Sequence, residues 1–473
     1  MNAQRIWLLG GLLGFASILL LVPDTTLQSP ARQVAAVAVL MALLWIGEAI
    51  PIPATALLPI VLFPLLGVLP VESVTASYAN HLVFLFLGGF WLAAAVERCQ
   101  LHRRIALHVL QAMGTRPDRI VLGFMTATAF LSMWLSNTAT TMMMLPIASA
   151  VAARIGGDTQ SQFGRSLMLG VAYSASIGGV ATLIGTPPNA VLAGVLESTL
   201  GIKISFWQWM QFGLPLALVM LMLCWAYLTR LNAPLHRAGG TAGGAAIVGE
   251  LAALGPIASA ERRVLTVFGG VAFLWIFKGA LPAAWLNELS DSGIALAGAI
   301  ALFVLPAGRG QGALLDWSSA ARIPWDVLIL FGGGFALAQG FQTSGLSAWI
   351  GLQLGAMHTV PWYLMVAAVA LVTILLTEVT SNTATAGMLL PIVAALATAA
   401  GHNPLLPMTA AALAASFAFM LPVATPPNAI VYASRQVSIA QMARAGIWLN
   451  LAGVVSITLF VALLLPWIWG VTP

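Results

Sequence analysis

The sequence predicts an all-α polytopic membrane protein: about 11 transmembrane helices with two re-entrant hairpins, arranged as an inverted repeat. Three observations predict it. First, 60% of the 473 residues are hydrophobic and 7% are charged, whereas a soluble domain carries about 25% charged residues. The 19 Lys and Arg with 14 Asp and Glu compare with on the order of 120 charges for a soluble chain of this length. Second, long apolar segments recur from end to end, and the mean hydropathy is +0.97. Third, the two halves repeat each other. This composition excludes a secreted or cytosolic enzyme and a nucleic-acid partner; the pI near 9.7 reflects arginines that mark topology.

A spanning helix needs about 20 apolar residues. Arg5 followed by the apolar run Ile6–Val22 resembles a signal peptide, but no small-residue cleavage site follows, so it reads as a first membrane helix. Further spans are expected at 33–50, 54–69 and 82–97. Segment 120–153 is too short for two spans and too long for one, and carries Ser-Asn-Thr at its middle; it reads as a re-entrant hairpin. Segment 165–200 is apolar but broken by Thr-Pro-Pro-Asn, and 207–229 is a plain span. Residues 231–263, with Gly-Gly at 239–240 and 243–244, read as a cytoplasmic linker. Spans at 264–281, 293–306 and 325–341 follow, then a second hairpin at 361–400, a second broken helix at 405–434 and a last span at 446–469. The chain therefore divides into an N-terminal helix (1–31), a first repeat (32–230), the linker and a second repeat (264–473).

The repeat rests on four ordered matches. Gly88-Gly89-Phe90 recurs at 333–335, Ser136-Asn137-Thr138-Ala139-Thr140 at 381–385, and Leu145-Pro146-Ile147 at 390–392, each offset by 245. Thr186-Pro187-Pro188-Asn189-Ala190 recurs at 425–429, offset by 239. Periodic self-similarity is decisive for architecture. Charge then orients the chain. With the N-terminus inside, 16 of the 19 basic residues, including Arg98, Arg103, Arg104, Arg237, Arg309 and Arg322, fall on the inner side, as the positive-inside rule requires. Arg32, Lys203 and Lys278 fall outside or near the outer end. Each half has five crossings plus a hairpin; five is odd, so the second half is inverted. The N-terminus is expected in the cytoplasm, the C-terminus outside, and the protein in the inner (plasma) membrane.

Non-helical backbone at membrane depth survives only where it faces protein or a polar cavity. A helix ending at a Ser-Asn-Thr tip points carbonyls there, and the next helix points free N–H groups at the same place. One tip can thus coordinate a cation with carbonyls and an anion with amides and hydroxyls. A Ser-Asn-Thr triplet alone can also just cap a turn; two copies at matched positions favour binding. Each Pro-Pro pair must unwind its helix, freeing carbonyls at Gly185 and Ala424 and exposing the hydroxyls of Thr186 and Thr425. No Lys or Arg occurs within 120–153 before Arg154, in 166–202 or in 362–434. A dianion held there needs helix N-termini and bound cations as its positive charge. Cation-coupled anion transport follows.

Glu378, inside a hairpin arm, is either a proton-coupling group or a structural acceptor. Glu48 reads as orienting a helix junction. His81, His102, His108, His236, His358 and His402 show no metal-ligand spacing, and Cys99 and Cys224 are lone residues. Trp7, Trp467 and Trp469 read as interfacial anchors.

These residues resemble the divalent anion/sodium symporter family over nearly the whole chain. Trp45-Ile-Gly-Glu-Ala-Ile-Pro51 is similar to the family's Trp-x-Thr-Glu-Ala-Ile-Pro, departing at Gly47. Ala415–Val431 resembles its long sodium/anion symporter signature. The resemblance implies a homodimer whose protomers each hold a scaffold domain and a transport domain, the latter moving as an elevator. It implies one sodium at Ser132, Ser136, Asn137 and Gly185, and a second at Thr377, Ser381, Asn382 and Ala424. The anion would meet Asn137, Thr138, Thr186 and Pro187 from one half and Asn382, Thr383, Thr425 and Pro426 from the other. The expected function is sodium-coupled symport of a C4-dicarboxylate such as succinate, malate or fumarate, with two or more Na+. Citrate or sulfate as cargo, and sodium-independent dicarboxylate or 2-oxoglutarate exchange, stay open. An intramembrane hydrolase using Ser136 or Ser381 would need a base, and no His lies in either hairpin arm.

Overall fold

The computed structural model describes residues 3–114, 116–156, 161–232, 242–281, 288–308, 310, 312–353 and 360–471. Among these the chain is helical, apart from one isolated bridge between Pro306 and Ala313. Arg237, Arg309, His236, His358 and the Gly239–Gly240 pair lie outside the described residues.

The first half runs α1 (Ala3–Leu21), α2 (Ser29–Ile46), α3 (Ile52–Ala56), α4 (Leu58–Leu65), α5 (Val71–Tyr78), α6 (His81–Arg98), α7 (Leu101–Met113), α8 (Pro117–Ser132), α9 (Asn137–Gly156), α10 (Gln162–Gly179), α11 (Pro187–Leu200) and α12 (Phe206–Ala226). After α13 (Ala242–Ala253) come α14 (Ser259–Phe277), α15 (Asp291–Val304), α16 (Trp317–Ala320), α17 (Trp325–Thr343), α18 (Leu346–Gln353), α19 (Trp362–Thr377), α20 (Asn382–Ala399), α21 (Leu405–Ala414), α22 (Pro426–Ala433), α23 (Ile439–Leu463) and α24 (Leu465–Trp469). Prolines open α8, α11 and α22, where the missing N–H costs nothing. Ser205 with Gln208 and Ser438 with Gln441 form reciprocal capping boxes at α12 and α23.

Among the described residues, 8 helices are long and apolar enough to cross a membrane, or 9 counting the bent pair α17–α18. The span expected at 54–69 is instead two short helices, α3 and α4, parted at Leu57, where Pro59 in the first turn of α4 lacks the N–H that would continue α3. The span at 293–306 is the 14-residue α15. Helices stop and restart at both Ser-Asn-Thr stretches, α8 to α9 and α19 to α20, and at both Thr-Pro-Pro-Asn stretches, α10 to α11 and α21 to α22. Residues 98–119, read as a loop, contain α7. Its buried face is Leu101, Ala106, Leu107 and Leu110, and its interleaved arginines masked that period. The expected linker holds α13, tied to α7 by Arg103–Glu250. Arg104 donates to both Glu261 oxygens and to the Gly255 carbonyl.

Two hydrophobic clusters result. The larger gathers both hairpins with α10, α11 and α21, whose side chains are almost wholly buried. The smaller gathers α2 to α5 with α17 and α18. The halves interlock by a contact made twice. Gly88 of α6 abuts Ala295 of α15, and Gly333 of α17 abuts Ala56 of α3; the two glycines are offset by 245, as in the sequence repeat. The turns at α6–α7 and α17–α18 also match. Gln100 sits at φ 62° and Gly345 at φ 77°, so a left-handed residue breaks each helix, with glycine in one copy only. Trp7 packs on Gly47, where a side-chain Cβ would overlap its ring, so a Thr cannot stand at position 47 beside this tryptophan without a shift. Glu48 follows with φ 43° and turns the chain at this junction.

Close approach at Gly88 yields a stability prediction. A Cβ there would lie 2.7 Å from the Ala295 Cβ, so Gly88→Ala is expected to cost about 1–3 kcal/mol. Gly269→Ala, with nothing within 4 Å, should leave the thermal midpoint in detergent unchanged.

Candidate functional site

The two tips have one geometry built from different residues. In the first, α8 ends at Ser132 and α9 begins at Asn137. The Ser132 hydroxyl lies 2.6 Å from Asn137 Oδ1 and 2.7 Å from the Ala175 carbonyl. In the second, the Thr377 hydroxyl lies 2.8 Å from Asn382 Oδ1 and 2.9 Å from the Ala415 carbonyl. A hydroxyl has one proton. Each site therefore presents three oxygens with a single donor between them, which suits a hard cation binding through oxygens. In the first half, Gly179 leaves the space beside this set open: a Cβ there would lie 2.9 Å from Asn137 Oδ1 and 3.1 Å from the Gly185 carbonyl. Ser132, Asn137 and Gly185 are thus brought together around Gly179. Ser136 caps α9: its hydroxyl accepts the Ala139 N–H at 3.1 Å and its carbonyl the Thr140 N–H at 3.0 Å. Ser381 contributes its carbonyl to the Thr385 N–H at 2.8 Å.

The breaks are clamped identically. Asn189 Nδ2 donates to the carbonyls of Gly179 (3.2 Å) and Thr182 (2.7 Å). Asn428 Nδ2 donates to those of Ala418 and Leu421, both at 3.0 Å. Each asparagine satisfies carbonyls freed where its helix stops. Thr186 and Thr425 have φ −144° and −143° and form the N-caps of α11 and α22. Thr425 Oγ1 accepts the Asn428 N–H at 3.3 Å, whereas Thr186 Oγ1 lies 3.4 Å from Ser416 Oγ of the other break. The two breaks therefore touch at the centre. The helices that leave the tips cross over: α9 packs on α22 and α20 on α11.

Thr138 is half-buried, Thr383 and Thr425 are buried, Pro187 is half-buried and Pro426 is exposed. Ser136 and Ala139 border a cavity of about 460 Å³ whose other wall is α6 and the α16–α17 junction. None of the expected anion-binding residues, Asn137, Thr138, Thr186, Pro187, Asn382, Thr383, Thr425 and Pro426, borders it. Sequence reasoning missed Gly179, Ser416, Ala175, Ala415 and Asn450. Only Asn450, a polar residue in the long apolar α23, carried a visible signal. Among the described residues no cluster of three His, Cys, Asp or Glu offers a metal site.

Glu378 is a structural acceptor in this arrangement. Its Oε1 accepts the N–H groups of Phe419 (2.8 Å) and Met420 (2.9 Å) and the amide of Asn450 (2.7 Å); Oε2 accepts Leu421 N–H at 3.0 Å. It thereby holds the unwound stretch that follows α21. The equivalent position in the first half is Met133, whose carbonyl accepts the Thr182 hydroxyl. Tip and break are thus joined in both halves with the donor on the break: a hydroxyl meets a backbone carbonyl in the first half, and backbone N–H groups meet a carboxylate in the second.

A helical membrane protein with paired tips and broken helices, each exposing proton-poor oxygens, is a secondary transporter by architecture. The chain belongs to the sodium:sulfate symporter family, whose transmembrane-region model matches residues 3–471. It is 44% identical over 477 residues to the sodium-dependent dicarboxylate transporter SdcS of Staphylococcus saprophyticus, covering 98% of this chain and 92% of that one. It is 43% identical to the SdcS of Staphylococcus aureus over 481 residues, covering 99% and 92%. Among solved structures it is similar in fold to the YdaH transporter of Alcanivorax borkumensis (TM-score 0.61, 13% identity, covering 85% of this chain and 89% of that one). The efflux pump MtrF of Neisseria gonorrhoeae is similar too (TM-score 0.62, 12% identity, 96% and 98%).

Two predictions follow from the tips and their support. Asn137→Ala and Asn382→Ala each remove one of three site oxygens without emptying a packed core. Each is expected to cut sodium-driven uptake by about 10- to 100-fold, the worth of a hydrogen bond or ligand to a charge, while the purified protein elutes and melts as wild type. Uptake near the wild-type rate in either variant removes that tip from the site. Glu378→Gln keeps an acceptor for Phe419, Met420 and Asn450 but turns an NH2 towards the Leu421 N–H. It should retain sodium-driven uptake with a stability loss of about 1–3 kcal/mol; full loss of uptake at unchanged stability would make Glu378 a proton carrier.

Proposed function

We propose that this protein is a sodium-coupled symporter of C4-dicarboxylate dianions that works as an elevator. The observation that carries the reading is the matched pair of oxygen sets, each short of protons. A sodium ion supplies the missing positive charge without adding a donor that would compete with substrate. One ion would sit with Ser132, Ser136, Asn137 and Gly185, the other with Thr377, Ser381, Asn382 and Ala424. The names of the 44% and 43% identical relatives, sodium-dependent dicarboxylate transporters, support both the ion and the cargo.

The anion would lie among Asn137, Thr138, Thr186 and Pro187 and, from the second half, Asn382, Thr383, Thr425 and Pro426. The approach of Thr186 to Ser416 supports a single central site, because it joins the breaks of the two halves. Four helices begin at the tips and breaks, and their N-terminal dipole ends favour carboxylate oxygens. The mobile body would comprise the hairpins α8–α9 and α19–α20 with the broken helices and α12 and α23; the remaining helices would form a dimeric scaffold. The arginine-rich side, read as cytoplasmic, carries the cavity at Ser136, so the described conformation is inward-facing on this reading. The N-terminus would then be cytoplasmic, the C-terminus outside, and the membrane the plasma membrane.

The order of binding follows from charge. Without sodium, an entering dianion exchanges its hydration for a few N–H and hydroxyl donors among competing carbonyl oxygens. Two sodium ions cancel its charge and fix the tips. Sodium is therefore expected to bind first, with apparent anion affinity rising steeply with sodium and a Hill coefficient above 1 for uptake. Calorimetry on purified protein in sodium and in choline buffer, with succinate, citrate and sulfate, checks ion and cargo together. Equal affinity in both buffers would replace this reading with sodium-independent exchange.

A further inference from the structure

The 460 Å³ cavity beside the first tip contains charged residues that the coupling site itself lacks. One wall is Ser136 and Ala139; the other includes Glu97 and Arg98 at the end of α6, and Ser319 and Arg322 between α16 and α17. Arg98 is committed elsewhere: it lies 2.8 Å from the Asp316 carboxylate. Asp316 caps α16, and hydrogen bonds from the Ser318 hydroxyl and the Ser319 N–H, with Arg98 nearby, hold its pKa down at about 2. That pair stays ionised and mutually neutralised across the working pH range. Arg322 differs. Its Nε donates to the Ser318 carbonyl at 3.0 Å, which orients the guanidinium. Among the described residues it has no carboxylate partner within 4 Å, so both of its terminal nitrogens stay available to a carboxylate, the geometry in which Arg binds best.

We propose that Arg322 is a docking residue for one carboxylate of the transported dianion, forming an approach-and-release subsite in the vestibule that leads to the first tip. The inference rests on the anion-transport reading above. Position is what makes it useful. An arginine on a tip helix would hold the dianion without sodium and break the coupling. Across the cavity from Ser136 it draws the anion to the mouth and takes no part in the ion-dependent step. Glu97 on the same wall repels the second carboxylate, so the docked anion binds by one end and leaves quickly. Because the vestibule is open to water, the attraction is that of a screened surface charge.

The test uses full-length protein in right-side-out and inverted membrane vesicles, with whichever of succinate, citrate and sulfate the wild type carries. Arg322→Gln is expected to raise KM about fivefold, the worth of one unit-charge contact in water, at the face onto which the vestibule opens. It should also flatten the dependence of that KM on choline chloride concentration, while the sodium Hill coefficient and the maximal rate stay near wild type. Arg322→Lys should restore the salt dependence. The effect in inverted vesicles alone confirms both the subsite and the cytoplasmic assignment; in right-side-out vesicles alone it keeps the subsite and reverses the topology. An unchanged KM and salt dependence at both faces, or an equal rise at both, overturns the proposal.

Discussion

In each half of the molecule a single hydroxyl proton stands between two oxygen acceptors, Asn137 and Ala175 for Ser132, Asn382 and Ala415 for Thr377. That one proton serves one of the two oxygens at a time, and a cation would meet both at once without needing a donor. The rest of the structure can be understood as the means of keeping those oxygens in place with no protein donor near enough to quench them. Hence the absence of Lys and Arg from the tips and breaks, and hence Gly179, whose missing side chain leaves room beside Asn137 and Gly185.

Holding unwound backbone inside a membrane protein demands that its other polar groups be met from within. Asn189 and Asn428 do this for the carbonyls that end α10 and precede α22, each reaching two at once. Glu378 does it for three successive N–H groups in the second half, with Asn450 fixing the carboxylate. The first half has no carboxylate there: its break is shorter, and the N–H groups of Ala181 and Gly185 bond the carbonyls of Gly178 and Thr182. The two halves are therefore alike in the tip oxygens and the asparagine clamps, and differ in the carboxylate that supports the second break alone.

The halves also depend on each other for packing. Gly88 against Ala295 and Gly333 against Ala56 place each half's glycine-bearing helix on the other half, and α9 and α20 cross to α22 and α11. The first arms of the broken helices, α10 and α21, pack on their own hairpins, while the second arms, α11 and α22, pack on those of the other half. A membrane interior provides no hydrophobic drive between helices, so association relies on such close van der Waals approach at small residues.

Composition and repetition by themselves determined the class and the places where helices stop, at both Ser-Asn-Thr and both Thr-Pro-Pro-Asn stretches. A charge content of 7% cannot coat a soluble surface, and two proline pairs at equivalent places cannot both be accidents of helix bending. Sequence also offered two roles for Glu378 without choosing. Tertiary structure decided the rest. It surrounded Glu378 with four donors, turned the expected span 54–69 into two short helices, and found α7 where arginines had hidden an apolar face. It alone brought Thr186 to Ser416 and Gly179 to Asn137. A one-dimensional pattern records which residues are polar within a segment, but which oxygens share one proton is set by backbone carbonyls and by neighbours tens to hundreds of positions away, and these have no signature of their own in the sequence.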